Sequence, residues 1–182
     1  MRASVKPKKA VPRTYRHHER TQGLTNTWIT PRHITQALGK FDLDPCAATE
    51  MPWYHAANNW TIEDDGLSQH WFGRVWLNPP YGRQTAIWMK RLAEYGNGVA
   101  LVHARCETKW FHDSVFSFAS SLFFLRGRVR FCRPDGTPGK APTAPSVLVA
   151  YGKANTDALR ACGLSGHFVE LQRLSEQERR AS

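Results

Sequence analysis

The run Arg74-Val-Trp-Leu-Asn-Pro-Pro-Tyr-Gly-Arg83 ends a strand-like apolar stretch in an amide, two prolines and an aromatic ring. Neither Pro79 nor Pro80 has an N–H, and each ring locks φ, so neither continues a sheet ladder or enters a helix. Each proline also pushes the residue before it, Asn78 and Pro79 in turn, towards extended geometry. The chain there is rigid. It holds the Asn78 side-chain oxygen, the Pro79 carbonyl and the Tyr81 ring in fixed relation. Two acceptors so placed can take both hydrogens of an exocyclic –NH2. The lone pair of such an amine is normally conjugated into a purine or pyrimidine ring. Acceptors that pull both hydrogens favour a tetrahedral nitrogen and stabilise the charge that develops as the amine attacks an electrophile. Tyr81 offers a flat face for the base. Asn-Pro-Pro is also an ordinary turn tripeptide, and the aromatic after it can simply cap a core, so its surroundings must decide.

The surrounding segments alternate. Val75–Leu77 reads as a strand, residues 83–95 as a helix with Ile87, Trp88, Leu92 and Tyr95 towards one face, and residues 98–104 as a buried strand with an almost continuous apolar run. Strand, helix and strand within about thirty residues make a βαβ unit. Upstream, Pro31 suits a first helical turn, Ile34, Ala37 and Leu38 follow at helical spacing, and Gly39 stops the helix. Residues 41–45 form a brief strand broken by Pro45, and the segment from there to Trp60 has no clear period. Downstream, a helix is expected around Lys109–Ala119 and strands over residues 120–131 and 146–152. The Pro- and Gly-rich run Cys132–Pro145 between those strands is a long loop. An open α/β sheet binds its ligands beyond the carboxyl ends of its strands, and Asn78 falls just past one such end.

Composition narrows the partners. The 182 residues suit one domain, and 41% hydrophobic content with seven tryptophans builds a real core. A net charge of +10 favours a polyanion, nucleic acid ahead of an anionic membrane. No apolar run is long enough to span a bilayer, and no signal peptide is evident, so a cytoplasmic protein is expected. Cys46, Cys106, Cys132 and Cys162 lack C-x-x-C spacing and read as reduced thiols, with no metal site. Met1–Gln22 carries seven Lys or Arg against one Glu and reads as a disordered basic arm, residues 23–172 as the folded domain, and residues 173–182 as a charged tail.

Asn78–Tyr81 has the form Asp/Asn/Ser-Pro-Pro-aromatic that marks enzymes transferring the methyl of S-adenosylmethionine to an amino nitrogen, the asparagine form being typical of adenine N6 enzymes. Five ordered blocks, residues 27–34, 41–48, 64–83, 101–113 and 124–131, resemble the phage and prophage DNA N-6-adenine methyltransferase family, over a span of about Trp28 to Tyr151. The resemblance implies a compact, single Rossmann-like α/β methyltransferase domain with a mostly parallel sheet and helices on both faces. It implies a phage- or prophage-encoded enzyme that modifies phage DNA against host restriction, with S-adenosylmethionine as cofactor. Asn78, Pro79, Pro80 and Tyr81 would then be the catalytic group. Thr30 and Pro31 would lie at the methionine end of the cofactor with Trp28 packed nearby, Asp44, Pro45 and Cys46 would form the first cofactor loop, and Asp65 would bond the cofactor's adenine. One departure stands out: the loop after Asp44 lacks the glycines that usually let backbone approach the cofactor, which puts contact by Ala47 and Ala48 in doubt. Glu50 and Glu63 are the candidates for gripping the ribose.

On the same reading Arg83, Arg105, Lys109, Arg126 and Arg128 line a groove for phosphates of double-stranded DNA, with Arg126, Arg128 and Arg130 on one face of a strand. His103 and His112 read as partners in ordinary polar contacts. A target adenine must be flipped out to reach a recessed amide. No room remains for a separate recognition domain, so residues 132–145 and the arm would read a few base pairs, and a monomer is expected. RNA adenine, a protein glutamine, or a non-catalytic DNA-binding role on the same scaffold stay open at this point. The arm's charges should add sequence-independent affinity by releasing counterions. Deleting Met1–Gln22 is therefore expected to flatten the plot of log DNA affinity against log salt; an unchanged slope would remove the arm from the interface.

Overall fold

The computed structural model describes residues 27–140 and 142–172. The basic arm expected over residues 1–22 and the tail expected over 173–182 lie outside the described residues, as does the start of the domain at residues 23–26. Seven strands form one sheet: β1 Leu43–Asp44, β2 Asn58–Asn59, β3 Val75–Leu77, β4 Gly98–His103, β5 Ser121–Leu125, β6 Ser146–Tyr151 and β7 Gly166–Glu170, in the order β2-β1-β3-β4-β6-β5-β7. The helices are α1 Arg32–Ala37, α2 Thr85–Tyr95, α3 Lys109–Phe111, which runs on into a π-helical turn at His112–Phe116, and α4 Lys153–Ala161.

The sheet is mixed, which corrects the expectation of a mostly parallel one. β1, β2, β3 and β4 pair in parallel, whereas the β4–β6, β5–β6 and β5–β7 pairings are antiparallel. Because β6 is antiparallel to both β4 and β5, β1 to β5 all point one way and β6 and β7 run against them. The physical reason is the missing crossover helix: β6 follows β5 through a loop alone and returns beside it in the opposite sense. β7 follows β6 through the helix α4, so it runs the same way as β6 and takes the other edge of β5, pairing all five of its residues with that strand.

Both faces of the sheet are covered, and the alternation of side chains along the strands sorts them. Val75, Leu77, Ala100, Val102, Leu122, Val147 and Val149 pack on the side of Trp88, Met89 and Leu92 of α2 and of Phe111 and Val115. Trp76, Val99, Leu101, Phe123, Leu148 and Ala150 face Ile34 and Leu38 beside α1 and Leu159 of α4. The two central strands, β4 and β6, are apolar on both faces, hence their continuous apolar runs.

At the amino edge of β3 one charged side chain fastens several elements. Arg74 donates from Nε to Asn155 Oδ1 of α4 (2.6 Å) and from Nη1 to the carbonyls of Leu38 (2.8 Å) and Lys40 (2.9 Å), and its guanidinium lies 4.2 Å from the Phe41 ring centroid. Asn155, fully buried, donates in turn to Asn97 Oδ1 (2.9 Å) and the Tyr151 carbonyl (2.7 Å). Removing that amide strands a charged donor in the interior. Asn155→Ala should therefore cost about 3 kcal/mol, at the upper end for a buried group left unsatisfied, read as a lower urea midpoint; a loss below about 1 kcal/mol would mean that water replaces the amide.

Candidate active site

The carboxyl ends of β1, β3 and β4 meet at one edge of the sheet. There a cleft of about 660 Å³ opens, within the range of small-molecule sites. Its walls are Thr27–Ile29, Asp44–Ala48, Thr61, Ile62, Asp65–Leu67, Asn78–Tyr81, Gln84, Ile87 and Trp88, with Met51 and His55. Three blocks far apart in sequence thus converge on one space: residues 27–29, the loop after β1, and the Asn-Pro-Pro-Tyr turn.

Asn78 is oriented, not merely present. Its Nδ2 donates to the Trp28 carbonyl at 3.2 Å, which turns Oδ1 the other way, towards Tyr81, whose hydroxyl lies 3.5 Å from it. Trp28 is fixed by its neighbour: Ile29 exchanges two backbone hydrogen bonds with Cys132, at 2.9 and 2.8 Å. Gly139 lies against the Trp28 ring so closely that a Cβ there would clash with it. The Pro80 carbonyl accepts from Thr85 Oγ1 at 2.8 Å and starts α2. The Tyr81 ring stacks on His103, the last residue of β4, at 4.2 Å between centroids and 12°, and meets the edge of Phe131 at 6.0 Å. His103 therefore makes an aromatic stack where an ordinary polar contact was expected.

The far wall is acidic. Asp44 is 2% exposed, its Oδ1 accepts the Cys46 N–H at 3.1 Å, and burial pushes its carboxyl up to about 7 despite that bond. The same burial, reinforced by Asp44, pushes the Cys46 thiol up to about 12. Asp65 stands at the end of a short turn, Ile62–Asp64, closed by reciprocal bonds between Thr61 and the residues after it: Glu63 N–H to Thr61 Oγ1 (3.3 Å) and Thr61 N–H to Asp64 Oδ2 (2.7 Å). Asp65 has φ +48°, a left-handed conformation that Asp tolerates better than most residues. Gly66 lies against the Pro45 carbonyl, where a Cβ would collide, so the 65–66 turn and the loop after β1 form one unit. Among the described residues no Lys or Arg lines the cleft. A buried carboxyl with a single N–H partner and no cation suits a ligand that brings hydroxyls or positive charge.

Of the expected cofactor residues, Trp28, Asp44, Pro45, Cys46 and Asp65 line the cleft; Thr30 and Pro31 are buried behind it. Thr30 Oγ1 has no hydrogen-bond partner among the described residues, and the Thr30 carbonyl accepts from Trp53 Nε1 at 3.0 Å. The Ala47 N–H is taken by the Trp60 carbonyl at 2.7 Å, in keeping with the missing glycines. Glu50 and Glu63 are exposed and outside the lining. Arg83, Arg105, Lys109, Arg126 and Arg128 are all exposed. Arg105 and Lys109 sit near Glu107 (3.9 Å) and Asp113 (2.6 Å), in exposed pairs that hold little energy. Arg126, Arg128 and Arg130 do not share a strand face, because β5 ends at Leu125 and Gly127 turns the chain at φ +79°. Sequence reasoning missed His55, Phe131 and the apolar lips Ile62 and Ile87. His55, held near pKa 4 by burial, is 3.4 Å from Thr35 Oγ1 and close to Trp76. Alternation along β4 was the available signal for His103, since it puts that residue on the sheet face of Leu101.

Among the described residues no cluster of His, Cys, Asp or Glu is placed to hold a metal ion, and no helix is long and apolar enough to cross a membrane. The sequence matches the model of the DNA N-6-adenine-methyltransferase (Dam) family over residues 18–160. It is 29% identical over 112 residues to a DNA N-6-adenine-methyltransferase of Escherichia phage T1, covering 56% of this chain and 46% of that protein, so the chain spans less than half the length of this curated relative. No solved structure matches significantly.

Burial of Asp44 gives a pH dependence of known sign. Its folded pKa, near 7, lies above the ordinary 3.8, so the folded state holds the proton more tightly than the unfolded chain. The stability it contributes is full below about pH 4 and is lost as pH rises to 7, at about 1.4 kcal/mol for each unit of difference. Asp44→Asn keeps the acceptor for Cys46 and removes the titration. The variant should gain on the parent between pH 5 and pH 8 in urea unfolding; a constant gap across that range would show that the carboxyl is solvated.

Proposed function

The chain belongs to the DNA N-6-adenine-methyltransferase family, and from that premise we propose that it transfers the methyl group of S-adenosylmethionine to the N6 amine of adenine in double-stranded DNA, as a phage- or prophage-encoded, cytoplasmic modification enzyme with a Rossmann-like cofactor domain. The observation that carries this is the orientation of Asn78, whose amide nitrogen is tied to the Trp28 carbonyl while Oδ1 is left facing the Tyr81 side.

The cleft fits the donor. Ile62, Leu67, Ile87 and Trp88 offer apolar walls for a flat adenine, and Asp44 and Asp65 offer acceptors for hydroxyl and amino groups. When bound, S-adenosylmethionine would supply an electrophilic methyl on a sulfonium, and the described lining, with Asp44 and Asp65 and no Lys or Arg, suits that cation. Thr30 and Pro31 act from behind the wall by shaping the Trp28–Ile29 segment.

The target adenine is flipped from the duplex and stacks on Tyr81. Asn78 Oδ1 and the Pro79 carbonyl accept the two N6 hydrogens and draw the nitrogen out of conjugation, so its lone pair turns towards the methyl. The methyl would come from the bound donor, whose sulfur would keep the S–CH3 electron pair, while Asn78 and the Pro79 carbonyl hold N6 so that its lone pair forms the N–CH3 bond. The proton on the now cationic nitrogen leaves to water, so no strong base is required. Arg83, Arg105, Lys109, Arg126 and Arg128 hold phosphates along the carboxyl edge, and the loop over residues 132–145 faces the bases beside the flipped one.

Asn78→Ala removes one of the two acceptors and should lower kcat by on the order of 10² to 10³ with cofactor affinity unchanged by calorimetry. Tyr81→Ala should weaken the hold on the base by roughly 1 to 3 kcal/mol. The assay is transfer of labelled methyl to unmethylated genomic DNA, then nucleoside analysis. N6-methyldeoxyadenosine made by the parent and lost in Asn78→Ala is the expected result; N4-methylcytosine, a methylated ribonucleoside or labelled protein would each put another substrate in its place.

A further inference from the structure

We propose that His103 is the positioning residue for Tyr81, a ring rooted in the central strand β4 that fixes the plane on which the flipped base stacks. This rests on the adenine-transfer reading above and goes beyond it, since it assigns a role to a residue outside the Asn-Pro-Pro-Tyr turn.

Tyr81 cannot hold its own ring in place. It is 36% exposed, and it is followed by Gly82 at φ +100°, a joint with no Cβ to restrict it. The bond from its hydroxyl to Asn78 is long, at 3.5 Å, and fixes one end of the ring without fixing its tilt. His103 supplies what is missing. It is paired with Ser146 of β6, and it closes a strand that is paired with β6 along its whole length and with β3 as far as Ala100. Its imidazole lies parallel to the phenol ring, 4.2 Å away at 12°, while Phe131 meets Tyr81 edge-on at 77°. One face of Tyr81 is thereby covered, and the exposed part of the residue is left for a ligand. A stack prepared in this way spares the base the cost of ordering the ring it lands on.

The chemistry of His103 points to its face and not to its nitrogens. Nε2 is buried and has no partner among the described residues, so it neither reaches a substrate proton nor anchors a phosphate. Burial and the neighbouring Arg105 disfavour its charged form, so the ring that faces Tyr81 is a neutral imidazole.

The test compares His103→Leu, which keeps apolar bulk without a π face, with His103→Phe, which keeps the face without nitrogens. The Tyr81 ring is followed by aromatic carbon–proton NMR of the full chain, its signal assigned by its disappearance in Tyr81→Phe. Kinetics are measured on unmethylated genomic DNA, and cofactor affinity by calorimetry. In His103→Leu the Tyr81 signal should lose its ring-current shift and KM for DNA should rise on the order of tenfold, more than kcat falls, because a stack made in ground and transition states alike is uniform binding. Cofactor affinity should not move, and His103→Phe should restore both signal and KM. Should His103→Leu not fold, His103→Met takes its place. The proposal is overturned if His103→Leu keeps the parent's KM, or if His103→Phe is as impaired as His103→Leu while the Tyr81 shift is intact, which would make a nitrogen the working atom. A parent that makes no N6-methyldeoxyadenosine would instead sink the transfer reading, and the NMR comparison would still decide whether His103 fixes Tyr81.

Discussion

The hydrogen bond from Asn78 Nδ2 to the Trp28 carbonyl joins the two halves of the cleft. An amide has a donor end and an acceptor end, and a bond from one N–H to a backbone carbonyl fixes which way the oxygen faces. Rotating the amide by half a turn would set two oxygens against each other. The bond holds only if Trp28 stays in place, which depends on the two hydrogen bonds between Ile29 and Cys132 and on the close approach of Gly139 to the indole. The acceptor at the end of β3 is thus aimed by a segment about fifty residues upstream and a loop about fifty residues downstream. The prolines make the turn stiff, and these contacts give it direction.

Charge is segregated around that bond. On one side the cleft holds Asp44 and Asp65, with no Lys or Arg among the described residues of its lining; on the other, the exposed edge carries Arg83, Arg105 and Arg126 just past the ends of the Asn-Pro-Pro-Tyr turn, β4 and β5. A cationic small molecule and a polyanion are each attracted to their own side. Burial sharpens the first, since an ionised Asp44 without a cation is costly, and a ligand that brings hydroxyls or positive charge relieves that cost. Exposure softens the second: the ion pairs of Arg105 and Lys109 are weak enough for phosphates to displace their partners.

Local chemistry was written in the sequence wherever neighbours decide the outcome. Pro79 and Pro80 dictate the end of β3 whatever surrounds them, and the apolar runs at 98–103 and 146–151 are strands buried on both faces because nothing else accommodates such runs at that length. Gly39 and Gly96, both at positive φ, stop α1 and α2 where the sequence places them. The five ordered blocks carried the family because each is a local pattern. α4 and β7 were not resolved as elements, since residues 153–170 are mostly polar with few apolar anchors; the pairing of β7 with β5 and the burial of Leu159 of α4 against the sheet supply what propensity does not.

Only the tertiary structure decided what those blocks do to one another. Sheet direction is a property of pairing between distant strands, so the antiparallel half could not be read from segments that look alike in either sense. Arg126–Arg130 alternates like a strand, but the ladder with β7 ends at Leu125 and only the Arg126 N–H continues it, to the Ser165 carbonyl, among the described residues. His103 looked like any polar residue closing an apolar strand until Tyr81, brought round by the proline turn, covered its ring. The acidity of Asp44 is set by its burial, which the residues beside it in sequence do not reveal. Residue types determined which reaction the Asn-Pro-Pro-Tyr turn can perform; the orientation of its amide, the backing of its ring and the charge of its cleft came from contacts across the fold, because those energies depend on distance in space and not along the chain.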